Sequence, residues 1–372
     1  MNEKAWTTSD AFSQTFSSAT KILAPDGTSY DNFGVSVDML DDTVVVGAYR
    51  RTETNEYDQG RAYLFSTDGS FVEELQAPDD WNADSFGSSV SISSSAVVVG
   101  AYRDERASGS VYIFSPTGEF VTKLVTPDSL EQGAFGYSLA VSEDYVLVGA
   151  PQDDDLGVNS GAAYLFTTSG DFVKKLVAPY AHVDAGFGWS VAMNDELIVI
   201  GANRDETDGG MTGSAYVYSL DGDFITKLVP SDAKSLEQFG FSVSVSGDTI
   251  AVGAVWDNEN GKTGGSAYIY SSDGTLVKKI LAPDGQDFAF FGVSVSVSDD
   301  VVAVGAEGDD KYTGAVYLFS KDGDFVEKIV APDAVSGESF GVDVAMSGGK
   351  LVVGAYTDDE NGSDSGASHI FV

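Results

Sequence analysis

The stretch FGVSVSVSDDVVAVGA, Phe291 to Ala306, joins two short β-branched runs through a polar Asp-Asp pinch, behind a Phe-Gly pair. Short valine-rich runs bounded by turn residues read as strands. The chain writes nearly the same sequence seven times. Phe-Gly pairs begin at Phe33, Phe86, Phe135, Phe187, Phe239, Phe291 and Phe340, spaced by 53, 49, 52, 52, 52 and 49 residues. From each Phe to the Gly of the next Gly-Ala pair the distance is 14 in every copy, ending at Gly47, Gly100, Gly149, Gly201, Gly253, Gly305 and Gly354. Length variation is therefore confined to loops.

Four strand-like runs fit in one copy; in the fifth they are FSVSV, TIAVGA, SAYIYS and LVKKILAP. Four short strands per repeat of about 50 residues predict one blade of a β-propeller. The first two runs are linked tightly by SGD or SDD. The last two are linked by STDG, SLDG, SSDG or SKDG, whose Asp-Gly pairs suit hairpins needing positive φ. Those links share one face of a disc. The longer, acidic connections, from second strand to third and from fourth strand to the next blade, emerge on the other face, where binding on a rigid scaffold usually sits.

The chain ends sharpen the expectation. After Phe340 the last copy holds only three strands, ending at GASHIFV, while TKILAPD (Thr20 to Asp26) reads as an orphan fourth strand. Pairing Lys21 to Ala24 beside the final strand would close seven blades into a ring and remove two exposed sheet edges. An open superhelical stack is the alternative. The fold class read here is all-β: a seven-bladed β-propeller of four-stranded blades closed by an N-terminal strand. Residues 19–372 form it, and residues 1–18, which fit no blade, read as a leader or linker.

Composition narrows the partners. Twenty basic residues against 58 acidic ones give a formal charge of −38, which repels phosphate backbones and anionic headgroups. Nucleic acid is not an expected partner. The apolar runs are a few residues long, against the roughly 20 a spanning helix needs, so membrane insertion is not expected either. There is no cysteine, hence no disulfide, thiolate metal site or cysteine nucleophile. The opening MNEKAWTTSD has no apolar signal core, so any export signal is expected to lie outside this sequence.

FGxSV followed by VVVGA, with GAP itself at Gly149 to Pro151, resembles the FG-GAP repeat of integrin α-subunit propellers, and more closely the short bacterial and protist FG-GAP repeat proteins. The resemblance spans about residue 19 to 372. It implies an extracellular or cell-surface propeller used in adhesion or ligand recognition. Integrin-type blades often carry an acidic DxDxDG calcium loop between their first and second strands. The fixed 14-residue distance leaves no room for one, so those calcium sites are not carried over.

Three residues after the Ala of each Gly-Ala pair stands an acid in six copies, Asp104, Asp153, Asp205, Asp257, Asp309 and Asp358, with Arg51 in the first. Such a ring suits either Asx turns or a surface for cations and basic ligands. Calcium takes six to eight oxygens, so the most acidic loops are its expected sites: Asp153 and Asp155; Asp205 and Asp208; Asp257 and Glu259; Asp309; and Asp358, Glu360 and Asp364. None has EF-hand spacing. The aromatic residues expected at a protein or carbohydrate contact are Tyr57, Trp81, Trp256 and Tyr312. The repeated Phe and Tyr63, Tyr112, Tyr164, Tyr216, Tyr268 and Tyr317 read instead as core packing between blades.

Lys21, Lys123, Lys174, Lys175, Lys227, Lys278, Lys279 and Lys328 fall on fourth strands, where edge lysines discourage pairing between molecules. Seven prolines close the same strands. Only His182 and His369 are present, no catalytic triad can be built, and carboxylates are too numerous for any pair to inform. The function expected is a non-catalytic recognition or adhesion module that meets a protein or glycan through its acidic long-loop face with the help of calcium. A structural subunit of an extracellular assembly is the alternative.

Overall fold

The computed structural model describes residues 16, 18–49, 60–78, 85–128, 132–207, 210–230, 232, 234–298 and 300–372. Among them stand seven four-stranded antiparallel sheets, each ordered first to fourth strand outward, as in Phe239–Ser246, Thr249–Ala254, Ser266–Ser271 and Leu276–Ile280 of blade five. The first strands surround a central channel of 440 Å3. The second strands, covered on both faces by neighbouring sheets, are continuous apolar runs such as VVAVGA, with every residue buried. The Asp-Gly hairpins form as read, with Gly274 of SSDG at φ +86°. The fourth strand is shorter than its sequence suggested: it ends at Ile280, so Pro283 stands in the loop beyond.

Apolar side chains meet between blades rather than within them. Ala251, Ile269 and Ile280 of blade five pack on Phe291, Val302 and Tyr317 of blade six, and the same contact recurs around the disc. In blades one to six the repeated Phe sets its edge against the repeated Tyr of its own blade, for example Phe239 on Tyr268 with centroids 5.2 Å apart, and in blade seven Phe340 meets His369. These rings are 0–1% exposed, so they are core, as read.

The two glycines of the repeat owe their identity to the approach of adjacent blades. A Cβ on the Gly-Ala glycine of one blade would stand 1.9–2.3 Å from the carbonyl oxygen of the Phe-Gly glycine in the next, in all seven copies. The series includes Gly354 against Gly34, where the last blade meets the first. Only a residue without a side chain lets the backbones come this close.

The ring closes as the chain ends suggested. Ala19–Ile22 pairs antiparallel with Ala367–Phe371, Lys21 opposite His369, and completes blade seven. Phe33 bridges Gly366, the junction that Phe291 makes with Gly265 elsewhere. Ile22 and Ala24 are buried against Phe33, Val352 and Ile370.

At the channel wall the seam carries one substitution of its own. In five blades a serine donates its Oγ hydrogen to the next blade's glycine carbonyl, as Ser242 does to Gly292 at 2.9 Å. Blade seven has Asp343 there, accepting the amides of Val37 at 2.8 Å and Val344 at 3.0 Å. Burial pushes its carboxyl up to about 7, only partly offset by those two amides. An acid whose folded pKa lies above its unfolded one binds extra protons when folded. Its contribution is thus full below about pH 4 and lost as pH rises toward 7. Asp343→Ser should raise stability at pH 8 by on the order of 2 kcal/mol and little at pH 4. Melting curves at both pH values check this; equal shifts would contradict it.

Candidate functional site

The acid ring lies at the ends of the second strands, under the long loops, and it is buried: Asp104, Asp153, Asp205, Asp257, Asp309 and Asp358 are 0–1% exposed. One oxygen of several accepts a loop amide, in the manner of an Asx turn: Asp155 N to Asp153 Oδ1 at 3.0 Å, Glu259 N to Asp257 Oδ1 at 2.9 Å, Glu360 N to Asp358 Oδ1 at 2.9 Å. The other oxygen faces a lysine of the fourth strand two positions out. Lys123 reaches Asp104 at 2.8 Å, Lys175 Asp153 at 2.9 Å, Lys227 Asp205 at 2.8 Å, Lys279 Asp257 at 2.7 Å, Lys328 Asp309 at 2.7 Å, and Lys21 Asp358 at 2.6 Å.

In blades two to six the core tyrosine stands between such a pair. Its hydroxyl donates to the same aspartate in blades two, three, four and six: Tyr112 to Asp104 at 3.0 Å, Tyr164 to Asp153 and Tyr216 to Asp205 at 2.5 Å, and Tyr317 to Asp309. The ammonium lies 5.0–5.3 Å from the ring centroid in five blades. A further aspartate reaches in from the loop behind the preceding blade's fourth strand. Asp128 contacts Tyr164 and Lys175, Asp232 contacts Tyr268 and Lys279, and Asp284 contacts Tyr317 and Lys328, at 2.6–3.2 Å. Asp333 serves blade seven, holding Lys21 at 2.8 Å and His369, which replaces the tyrosine, at 3.1 Å. The clusters of blades three, five, six and seven therefore each tie two blades together.

The blades that depart from the pattern do so in compensating ways. In blade four Pro179 is followed by Tyr180 rather than Asp, and His182 Nδ1 reaches Asp205 at 2.8 Å instead. In blade one the lysine position is Glu74, paired with Arg61 at 2.7 Å, while the aspartate position is Arg51, outside the described residues. Both signs are reversed together.

The electrostatics follow. Burial pushes the Asp205 carboxyl up, but Lys227, Tyr216 and His182 outweigh it and hold the group below its ordinary value. At Asp333 burial is likewise outweighed, by Lys21 and His369, leaving about 2. Burial pushes the His369 imidazole down, against the pull of Asp333.

The lysine reading is thus corrected. Lys21, Lys123, Lys175, Lys227, Lys279 and Lys328 point inward to buried carboxylates rather than guarding an edge; only Lys174 and Lys278 of the group face outward, to Asp221 O and Asp324. The acids expected to hold calcium are brought together around ammonium groups. Lys175 contacts Asp128, Asp153 and Asp155; Lys279 contacts Asp232, Asp257 and Glu259; Lys21 contacts Asp333, Asp358 and Glu360. Asp309 also accepts Gln286 Nε2 at 2.7 Å. Asp128, Asp153 and Asp155 hold carboxylate oxygens within 4.8 Å of one another, the spacing of a cation site, and Lys175 contacts all three, so a calcium ion there would compete with its ammonium. Asp364 is not drawn in; its amide donates to Asp359 at 2.8 Å and its carbonyl accepts from Asn32. Asp208, Tyr57 and Trp81 lie outside the described residues. Trp256 and Tyr312 are 41% and 45% exposed on the loops of blades five and six.

Sequence reasoning missed two sets of residues. The bridging aspartates stand one or two residues after the repeated prolines, directly after Pro127, Pro283 and Pro332 and one residue further on after Pro230. The second set surrounds the mouth of the channel on the long-loop face. The residue after each Phe-Gly pair is Val35, Ser88, Tyr137, Trp189, Phe241, Val293 or Val342, and here the sameness of the blades breaks. With Tyr49 and Tyr102 from the residue after Gly-Ala, the first five of these wall a cavity of 270 Å3. Tyr356, from the same position in blade seven, has its hydroxyl pushed up to about 12 by burial and then by Glu307 and Tyr49. Burial lifts the Glu307 carboxyl to about 7. The available signal was variation at a fixed phase of an otherwise uniform repeat.

This architecture is a closed seven-bladed β-propeller whose blades are locked by buried Asp–Tyr–Lys clusters. The chain belongs to the FG-GAP repeat family: that family's pattern matches residues 16–65, 70–114, 119–166, 171–218, 223–270, 275–319 and 324–371, seven matches that each span the fourth strand of one blade and the first three of the next. No curated protein matches the chain significantly. The FG-GAP propeller fits a recognition or adhesion module in general, its family is typically non-catalytic, and its members are often extracellular. No helix among the described residues is long and apolar enough to cross a membrane.

Proposed function

We propose that this propeller is a non-catalytic recognition module, secreted or displayed on a cell surface, that binds a protein or glycan partner with its long-loop face. One observation carries the reading. Residues that hold blade to blade recur in phase, whereas those walling the channel mouth differ from blade to blade, as side chains released from a packing role and selected by a ligand would. Calcium is not required by this reading, because lysine already neutralises the acid clusters. Binding of the immobilised protein to glycan and extracellular-protein arrays tests it. Partners should be retained in chelator and lost when Trp256, Tyr312 and Trp189 are replaced together by serine in a variant that melts like the parent. Binding untouched by those changes would refute a ligand on this face.

A second reading, a subunit of an extracellular assembly, is favoured by the outer band. Fourth strands open with exposed apolar pairs, Phe71–Val72, Phe120–Val121 and Phe172–Val173 among them, each residue 45–51% exposed. Light scattering after size exclusion separates the two: a monomer supports the binding module, regular large particles the assembly.

A further inference from the structure

We infer that the channel mouth binds an acidic saccharide, a short glycan bearing carboxylates, with its sugar faces on an aromatic arc and its charges on two arginines. The inference rests on the recognition reading above and names the ligand class for that face.

The arc runs without a gap over four side chains from blades two to five. Tyr102 and Tyr137 have centroids 5.5 Å apart, Tyr137 and Trp189 4.7 Å, Trp189 and Phe241 5.7 Å. All four are half-buried, whereas the structural rings of the repeat are wholly enclosed. Blades one, six and seven place Val35, Val293 and Val342 at the corresponding post-Phe-Gly position, so the fold does not call for aromatic rings there. The planes of the four rings are turned from one another by 47–76°, so each half-buried ring offers the cavity rim an edge or one face, against which partly apolar sugar rings can pack.

Two exposed cations stand on this rim, with Glu307 across it near Tyr49 and Tyr356. On a chain of formal charge −38, Arg103 stacks its guanidinium over Tyr102 at 5.2 Å and Arg204 over Trp189 at 5.7 Å. Both side chains are exposed, and among the described residues neither is in an ion pair. The lysines nearby are consumed by the buried clusters. Of the six arginines, Arg103 and Arg204 stand just after second strands, while Arg61 opens a third strand and is paired with Glu74. An exposed guanidinium over an aromatic ring can still offer N–H groups to a carboxylate. Two of them beside the arc suit a ligand with a few separated negative charges. A dense polyanion would be repelled by the acidic loops around. An acidic peptide would satisfy the arginines but offers no row of flat faces to the four rings.

The test uses the full chain and a panel of galacturonate, mannuronate and glucuronate trimers, their neutral methyl esters, and a tri-glutamate peptide, read by calorimetry and tryptophan fluorescence. At least one acidic trimer should bind, at least tenfold more tightly than its ester. The Arg103→Gln/Arg204→Gln variant should lose tenfold or more with an unchanged melting temperature, and Trp189→Leu should lose both the binding and most of the fluorescence response. The inference is overturned if no acidic trimer binds, if the esters bind equally, if the double arginine variant binds as the parent does, or if the peptide binds in place of the trimers. Partners found on the arrays that ignore Arg103 and Arg204 would likewise sink it while leaving the recognition reading in place.

Discussion

Removal of residues 1–25 is expected to lower the thermal midpoint by 10 °C or more relative to a chain trimmed at residue 15, and to produce association between molecules. The deletion takes away the fourth strand of blade seven and with it three separate contributions. Burial of Ile22 is worth about 2 kcal/mol. Lys21 neutralises the buried Asp358, and stranding such a carboxylate costs about 3 kcal/mol. The backbone of Ala367–Phe371 becomes an open edge able to pair with another chain. At about 1.3 °C per kcal/mol for a chain of 372 residues, the first two effects supply about 6 °C and the opened sheet edge the remainder. A synthetic peptide covering residues 16–26, added in excess, should bind the shortened protein and return part of the loss. An unaltered midpoint would show that the ring does not depend on its closing strand.

The second large effect is expected at an internal blade. Lys279→Met keeps the apolar stem beside Tyr268 but removes the charge shared by Asp257, Asp232 and Glu259. Asp257 is fully buried, its Oδ2 faces the ammonium, and without it the carboxylate is an uncompensated buried charge. The variant should lose about 3 kcal/mol in denaturant unfolding. Adding Asp257→Asn should recover a good part, because a neutral amide needs no counter-charge, so the double variant is more stable than the sum of single effects implies. Blade one supplies a natural precedent in its paired reversal to Arg51 and Glu74. A Lys279→Met variant as stable as the parent would mean that the cluster contributes nothing, and a double variant no more stable than Lys279→Met would mean that the loss is not the stranded charge of Asp257.

Much of the fold was legible because propeller blades are local. The 14-residue distance from Phe-Gly to Gly-Ala spans one hairpin, and the alternation of tight Asp-Gly links with long acidic loops assigns the two faces. The aspartate ring was legible as a ring, and its Asx-turn hydrogen bonds followed from residue type. What the six carboxylates face was not. Lysine on a fourth strand carries the same sequence signature whether it points to solvent or across to the end of the second strand. The choice depends on the strand register that sets Lys279 opposite Tyr268. The bridging Asp232 comes from the preceding blade, and only the packing of one sheet on another brings it there.

The amino-acid order by itself determined the number of blades, their four strands and the closure by Ala19–Ile22, since each is a matter of period and of one unpaired segment at each end. The tertiary structure alone decided that the acids are neutralised from within, and that Tyr102, Tyr137, Trp189 and Phe241, about fifty residues apart or less along the chain, converge on one rim. The physical reason is that a repeat specifies neighbours within its own sheet, whereas contacts across sheets and around the channel arise only when the ring is shut and every side chain has been given a direction.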